Sequence, residues 1–414
     1  MARVCLVAFC GALVAMPATA TAQDVVYERL RVQGGFTHED RGAQASLDDV
    51  WLGATPELAA VFARPRTFSQ LTYTLTGMIH TELPAEIANR LTLGVSHEIS
   101  KTTLVFASAE AFQTSLRNLL TSRPAAATEL AALAAPEGTF LGVRATEGLS
   151  WEAGPRVRIG QGLDAAMVTS IDSGPTKNYL ANASFSADRV WQFDALGVEA
   201  RGGYASNQVT TRINQKLVTT SLGPRWRHDF NARLSTFVTV GGMLILSPDP
   251  GTGIVLASTA RGSLLYALSS ARLDLSAASG AEPNILTGQI LRTHSVSLRA
   301  WFPISERHRV FCSASIAYLR GGPVRVRRFD LSGDFQGVLA DADLNWLATD
   351  SLQLFARYQF FDQIADDPTP LSNPSVVRNT AIVGIQFFSQ PPDRTLRFRE
   401  PQRVDRSDTT SPAP

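Results

Sequence analysis

The chain has 414 residues, 44% of them hydrophobic and 18% charged, with a formal net charge of +1. So even a balance offers no basic excess for nucleic acid. Of three cysteines only Cys312 lies beyond the first 22 residues, which excludes an intrachain disulfide in a processed chain.

The N-terminus reads as an export signal. Arg3 supplies the charge, and residues 4–15 form an apolar stretch too short to span a bilayer as a helix. Ala20-Thr21-Ala22 is an A-x-A cleavage site before Gln23, so residues 1–22 are expected to be a signal peptide. Phe9 before Cys10, at so early a position, excludes a lipoprotein signal. No long apolar run follows, which leaves an exported soluble β protein or an outer-membrane barrel.

From residue 25 a unit of two strands around a tight turn recurs, with a period of roughly 35–50 residues. Residues 25–37 and 48–63 are the first and least regular strands. Next, Leu71, Tyr73, Leu75, Gly77 and Ile79 oppose Thr72, Thr74 and Thr76. Leu91, Leu93, Val95 and Ile99 oppose Arg90, Thr92, Ser96 and Glu98, and Leu196, Val198, Ala200 and Tyr204 oppose Glu199 and Arg201. Leu234, Val238, Val240 and Leu244 oppose Ser235 and Thr239, and Leu352, Leu354, Ala356, Tyr358 and Phe360 oppose Gln353, Arg357 and Gln359. The last strand, 377–388, sets Val377, Ala381, Val383, Ile385 and Phe387 against Arg378, Thr380 and Gln386. Period-2 alternation over about ten residues suits a wall with lipid on one side and water on the other.

Tight turns are expected at 64–66, 100–101, 154–156, 187–189, 229–231, 269–271, 305–308 and 349–351, where Pro, Gly, Asn, Asp and Ser collect. Longer links are expected at 84–89, 116–138, 172–177, 206–214, 247–253, 281–286, 321–333 and 362–375. The link at 116–138 holds an Ala/Leu/Glu run between Pro124 and Pro136 that suits a short helix. The fold class is therefore all-β: a single transmembrane antiparallel β-barrel of about 18 strands over residues 23–388, or about 16 if the first segment does not pair. Both termini fall on the short-turn, periplasmic side, with no plug or globular module ahead of the barrel. Residues 389–414 read as a disordered periplasmic tail. Trp151, Trp191, Trp226, Trp301 and Trp346 each lie within about five residues of a tight turn, as an interfacial girdle requires; Trp51 does not.

No catalytic or metal motif is present, and the six histidines are scattered. We therefore expect no enzyme activity, no cofactor and no metal; His80 and His294 read as solvated rim residues. The polar face supplies candidates for a pore lining: Glu199, Arg201, Arg225, Arg261, Arg272, Asp274, Arg299, Asp341, Asp343, Arg357 and Arg378. Taken singly, each reads first as half of a wall-stiffening ion pair. Together they imply a water-filled interior, since charge on a lipid face costs about 2–4 kcal/mol near mid-membrane.

The export signal, alternating strands, tryptophan placement and aromatic-ended last strand resemble the outer-membrane β-barrels of Gram-negative bacteria over the whole mature chain. The wide bore, short loops and lack of a plug are similar to the barrels that pass exopolysaccharide. That resemblance implies export of a hydrophilic polymer, with a general or sugar-selective diffusion porin as the alternative and a closed structural or adhesive barrel as the second. It implies outer-membrane lipid, lipopolysaccharide, the barrel-assembly machinery and a periplasmic polysaccharide-export protein as partners. One departure is that residues follow the terminal Phe387-Phe388, where such barrels usually stop.

Overall fold

A computed structural model describes residues 24–40, 46–115, 139–171, 177–210, 213–247, 254–268, 271–283, 290–304, 309–323, 334–365 and 375–389. They form eighteen strands. The first half is β1 (Asp24–Asp40), β2 (Leu47–Ala63), β3 (Thr67–His80), β4 (Glu86–Ser100), β5 (Thr103–Ser115), β6 (Thr139–Gly154), β7 (Val157–Ser170), β8 (Lys177–Val190) and β9 (Asp194–Thr210). The second is β10 (Ile213–Asn231), β11 (Leu234–Leu246), β12 (Ile254–Ala267), β13 (Arg272–Pro283), β14 (Ile290–Pro303), β15 (Val310–Pro323), β16 (Phe335–Leu347), β17 (Leu352–Ala365) and β18 (Val376–Phe388).

Each strand pairs antiparallel with its neighbours in sequence, and β18 returns to β1 from Arg29↔Phe388 to Asp40↔Val377. The wall is a closed 18-stranded antiparallel barrel. Closure leaves no sheet edge, so every strand has a partner on both sides. The ladder continues one residue past β18: Ser389 N–H donates to the Glu28 carbonyl at 2.9 Å, and its hydroxyl accepts from Glu28 N–H at 2.8 Å. The expected signal peptide, the helix at 116–138 and the tail beyond Ser389 lie outside the described residues.

Alternation sets the two faces. Leu222, Val383 and Leu256 are 65%, 63% and 81% exposed, whereas Thr380 and Gln386 on the opposite face of β18 are 2% and 3%. An outward belt this apolar suits hydrocarbon rather than water.

Five expectations need correction. The turn placed at 229–231 lies within β10, and the reversal falls at 232–233. The turn placed at 187–189 is strand, because β8 runs on to Val190 and the reversal falls at Trp191–Phe193, closed by Trp191 N–H to the Asp194 carbonyl at 2.7 Å. Asp188 followed by Arg189 looks like a turn signal, but Asp188 is an inward ion-pair partner. The long link at 206–214 is mostly strand too: β9 and β10 stay paired out to Thr210↔Ile213. Trp301 leaves the expected girdle, since it pairs with Arg272 and Ser313 on the face that carries Asp274 and Arg299. Distance from a turn locates a side chain along the barrel axis but not on a face. The inward face is also not uniformly wet. Leu291, Leu319, Phe335, Phe361 and Val376 cluster at the end with the longer links, as do Leu217, Ile245 and Ala281 with Met243 and Val255.

Candidate functional site

The site is the inward wall. Register places all eleven sequence candidates on that face: Glu199, Arg201 and Arg225 on β9 and β10; Arg261, Arg272 and Asp274 on β12 and β13; Arg299 on β14; Asp341, Asp343, Arg357 and Arg378 on β16 to β18. Most are held by an opposite charge. Arg201 pairs with Glu199, and Arg357 with Asp343 directly across the β16–β17 ladder. Arg378 meets Glu39 at 2.6 Å and Arg272 meets Asp274 at 3.6 Å. Arg225 reaches Asp188 at 3.2 Å and Glu199 at 3.8 Å, and its guanidinium lies 5.2 Å from the Phe237 ring centre. Asp341 accepts from Ser315.

The first two strands carry inward charged residues that the sequence reading missed. On β1, Arg29 pairs with Glu57 of β2. Two residues on, Arg31 donates from Nε to Gln386 Oε1 at 3.1 Å and sits 4.7 Å above the Phe355 ring. Arg31 forms no ion pair among the described residues. The charges of Arg29, Arg357, Glu57 and Asp343 all act on it. It is thus a cation on the lumen wall held by an amide and an aromatic ring. The signal that would have found it is parity: Arg29, Arg31 and Gln33 share a face of β1 once β1 is taken as a full stave.

Asp49 and His80 form a second unexpected unit, on the inward face near the long-link end. Asp49 accepts from His80 Nδ1 at 2.6 Å, Thr81 N–H at 3.1 Å, the Thr81 hydroxyl at 3.3 Å and Glu82 N–H at 3.2 Å. The His80 and Asp49 side chains are 3% and 2% exposed, so the reading of His80 as a solvated rim residue is wrong. His294 does lie exposed, against Ser279 at 2.9 Å. Asp49→Ala removes the acceptor from one imidazole and two backbone N–H groups. We expect a loss of about 1–3 kcal/mol in urea unfolding of the micelle-bound barrel, with Asp49→Asn losing less.

Beside this pair, Trp51 donates to the Thr37 hydroxyl at 3.3 Å and packs with Met78, Ile382 and Phe355. Bulky side chains from β2, β3, β17 and β18 therefore meet on the concave side, below the long-link end.

No protein-family model matches the chain, and no curated protein matches it. Among solved structures it is similar to Pseudomonas aeruginosa OccK2 (OpdF), crystallised with glucuronate, at 11% identity and TM-score 0.47 over 88% of this chain and 98% of that one. Pseudomonas aeruginosa OpdL gives 12% and 0.44 over 89% and 100%. Acinetobacter baumannii OccAB3 gives 10% and 0.45 over 88% and 99%. Identity this low leaves the lumen residues to be read from this chain alone.

On the wall formed by β4 to β7 the ion pairs repeat. Arg90 meets Glu110 at 3.0 Å, and Arg144 meets Asp164 at 2.8 Å. Two inward phenylalanines lie across glycines: a Cβ on Gly142 or Gly148 would run into the Phe112 or Phe106 ring. Each ring packs over the glycine directly across the β5–β6 ladder.

Proposed function

We propose that the protein is an outer-membrane channel for small hydrophilic solutes, with the short turns and both termini in the periplasm and the longer links outside. The observation that carries the reading is a closed 18-strand wall with an apolar belt outward and charge inward. Barrels of this strand number enclose an aqueous path rather than a packed core. The eleven inward candidates, with Arg29, Arg31, Glu39 and Glu57 added, line that path.

Two features favour small solutes over a polymer. Trp51, Met78, Ile382 and Phe355 occupy lumen space on one side, and Arg31 over Phe355 places a cation within it. A polymer conduit needs free bore along its whole length. Polymer export, the first expectation from sequence, therefore ranks second.

Planar-bilayer recording of the purified protein tests the proposal. Steady, ohmic single-channel conductance is expected, and a silent bilayer from correctly folded protein overturns it. Loss of surface polysaccharide in a deletion strain, with no conductance, would move the reading to export. Arg31→Gln is expected to lower the preference for anions over cations, read from reversal potentials in a salt gradient. A unit charge about 6 Å from the ion path, in a water-like dielectric, contributes about 0.7 kcal/mol, or roughly threefold. No change in reversal potential would remove Arg31 from the path.

A further inference from the structure

The membrane-facing side of β14 and β15 carries a basic cluster that a channel does not need. Val296, Leu298, Ile316 and Tyr318 face outward there, 43% to 51% exposed. The same face continues toward the long-link end with Arg292 and His294 on β14 and Arg320 on β15, all exposed. His294 lies directly opposite Arg320, and Arg292 opposite Gly322. Neither arginine forms an ion pair or hydrogen bond among the described residues. Ser279 meets His294 at 2.9 Å, and Tyr318 donates to Gln336 at 3.4 Å. One acid, Asp334, lies against Gly322, the residue opposite Arg292, and forms no ion pair with either arginine among the described residues. On other strands the outward face near this end carries exposed apolar residues, Ile79, Ile87, Leu141, Ile254 and Ile364, with single lysines at Lys177 and Lys216 and a His38–Asp48 pair; β14 and β15 bring three basic side chains together.

Height decides what the cluster meets. Phe302, outward at the short-turn end of β14, marks one membrane interface at 40% exposure. Arg292 is about ten residues away; at roughly 3.4 Å per residue and a tilt of about 40° this is roughly 26 Å of barrel height. That equals an apolar band of about 25 Å, so the cluster sits at the opposite interface, where charge on the lipid face costs only about 0–1 kcal/mol. Arg292 and Arg320 are one strand and two rows apart, roughly 8 Å, which is more than one phosphate spans. Guanidinium groups bind phosphate oxygens bidentately.

We infer that Arg292, His294 and Arg320 hold the phosphates of a bisphosphorylated glycolipid of the lipid A type, docked against Tyr318 and Val296. The site rests on the reading that the long-link end faces outward from the cell. The test uses the full-length processed protein in micelles, with native mass spectrometry as the readout. Bisphosphorylated lipid A, its dephosphorylated form and inorganic phosphate are the three probes. The wild type is expected to retain the bisphosphorylated lipid at least tenfold better than Arg292→Gln/Arg320→Gln, and better than the dephosphorylated lipid by a similar factor. Equal retention by wild type and variant overturns the site. Displacement of the lipid by millimolar phosphate overturns it too, because it identifies a free-anion site. The single variants and unchanged bilayer conductance show that the wall is intact. Conductance without lipid preference would fail this inference while leaving the channel reading in place.

Discussion

Replacing Arg225 by Met is expected to destabilise the barrel by about 3–5 kcal/mol, the cost of breaking a buried charge pair from one side. Arg225 is 4% exposed and its two partners, Asp188 and Glu199, are each 6%. Glu199 keeps Arg201 after the change. Asp188 loses the guanidinium 3.2 Å away and stays where water reaches it poorly. Neutralising that carboxylate should therefore recover much of the loss, so Arg225→Met with Asp188→Asn is expected to be clearly more stable than Arg225→Met alone. Urea unfolding in micelles, followed by tryptophan fluorescence, measures both. Indistinguishable midpoints for Arg225→Met and wild type would show that the pair is wet and contributes little, as exposed pairs do.

The second large effect concerns the wall itself. Gly223 on β10 faces Gly241 on β11, and a Cβ there would meet the Val240 carbonyl oxygen and the Gly241 Cα. Both are backbone on the neighbouring strand and cannot rotate aside. The following residue, Pro224, already withholds an N–H from the ladder. Gly223→Val is expected to exceed the about 1–3 kcal/mol of ordinary overpacking and to prevent closure. Its measure is loss of the mobility difference between unheated and heated protein on SDS gels. Gly242→Val is the control: a Cβ there meets nothing within 4 Å, and folding should be kept. A normal mobility shift for Gly223→Val would show that β10 and β11 are farther apart than described.

The two predictions separate what was legible in the sequence from what was not. The final strand shows its faces in one dimension: Arg378, Thr380 and Gln386 inward, Val383 and Phe387 outward. The inward position of Arg225 was equally legible. Its partner was not, because Asp188 lies far off in sequence and reads locally as a turn residue. Nor was the approach of Gly223 to Gly241, since a glycine in a strand pattern looks the same whether or not a neighbour presses on it.

Alternation and turn spacing thus indicated an all-β barrel of about eighteen staves, with sixteen left open, and the inward face of the eleven charged candidates, because a strand has a side-chain period of two whatever it pairs with. Tertiary structure decided everything that depends on register between strands distant in sequence. Closing β1 on β18 put Arg31 beside Gln386 and above Phe355, and set Glu39 against Arg378. Pairing β2 with β3 buried His80 on Asp49. Those contacts join segments tens to hundreds of residues apart, and a periodic pattern records which face a residue takes but not which stave stands next to it.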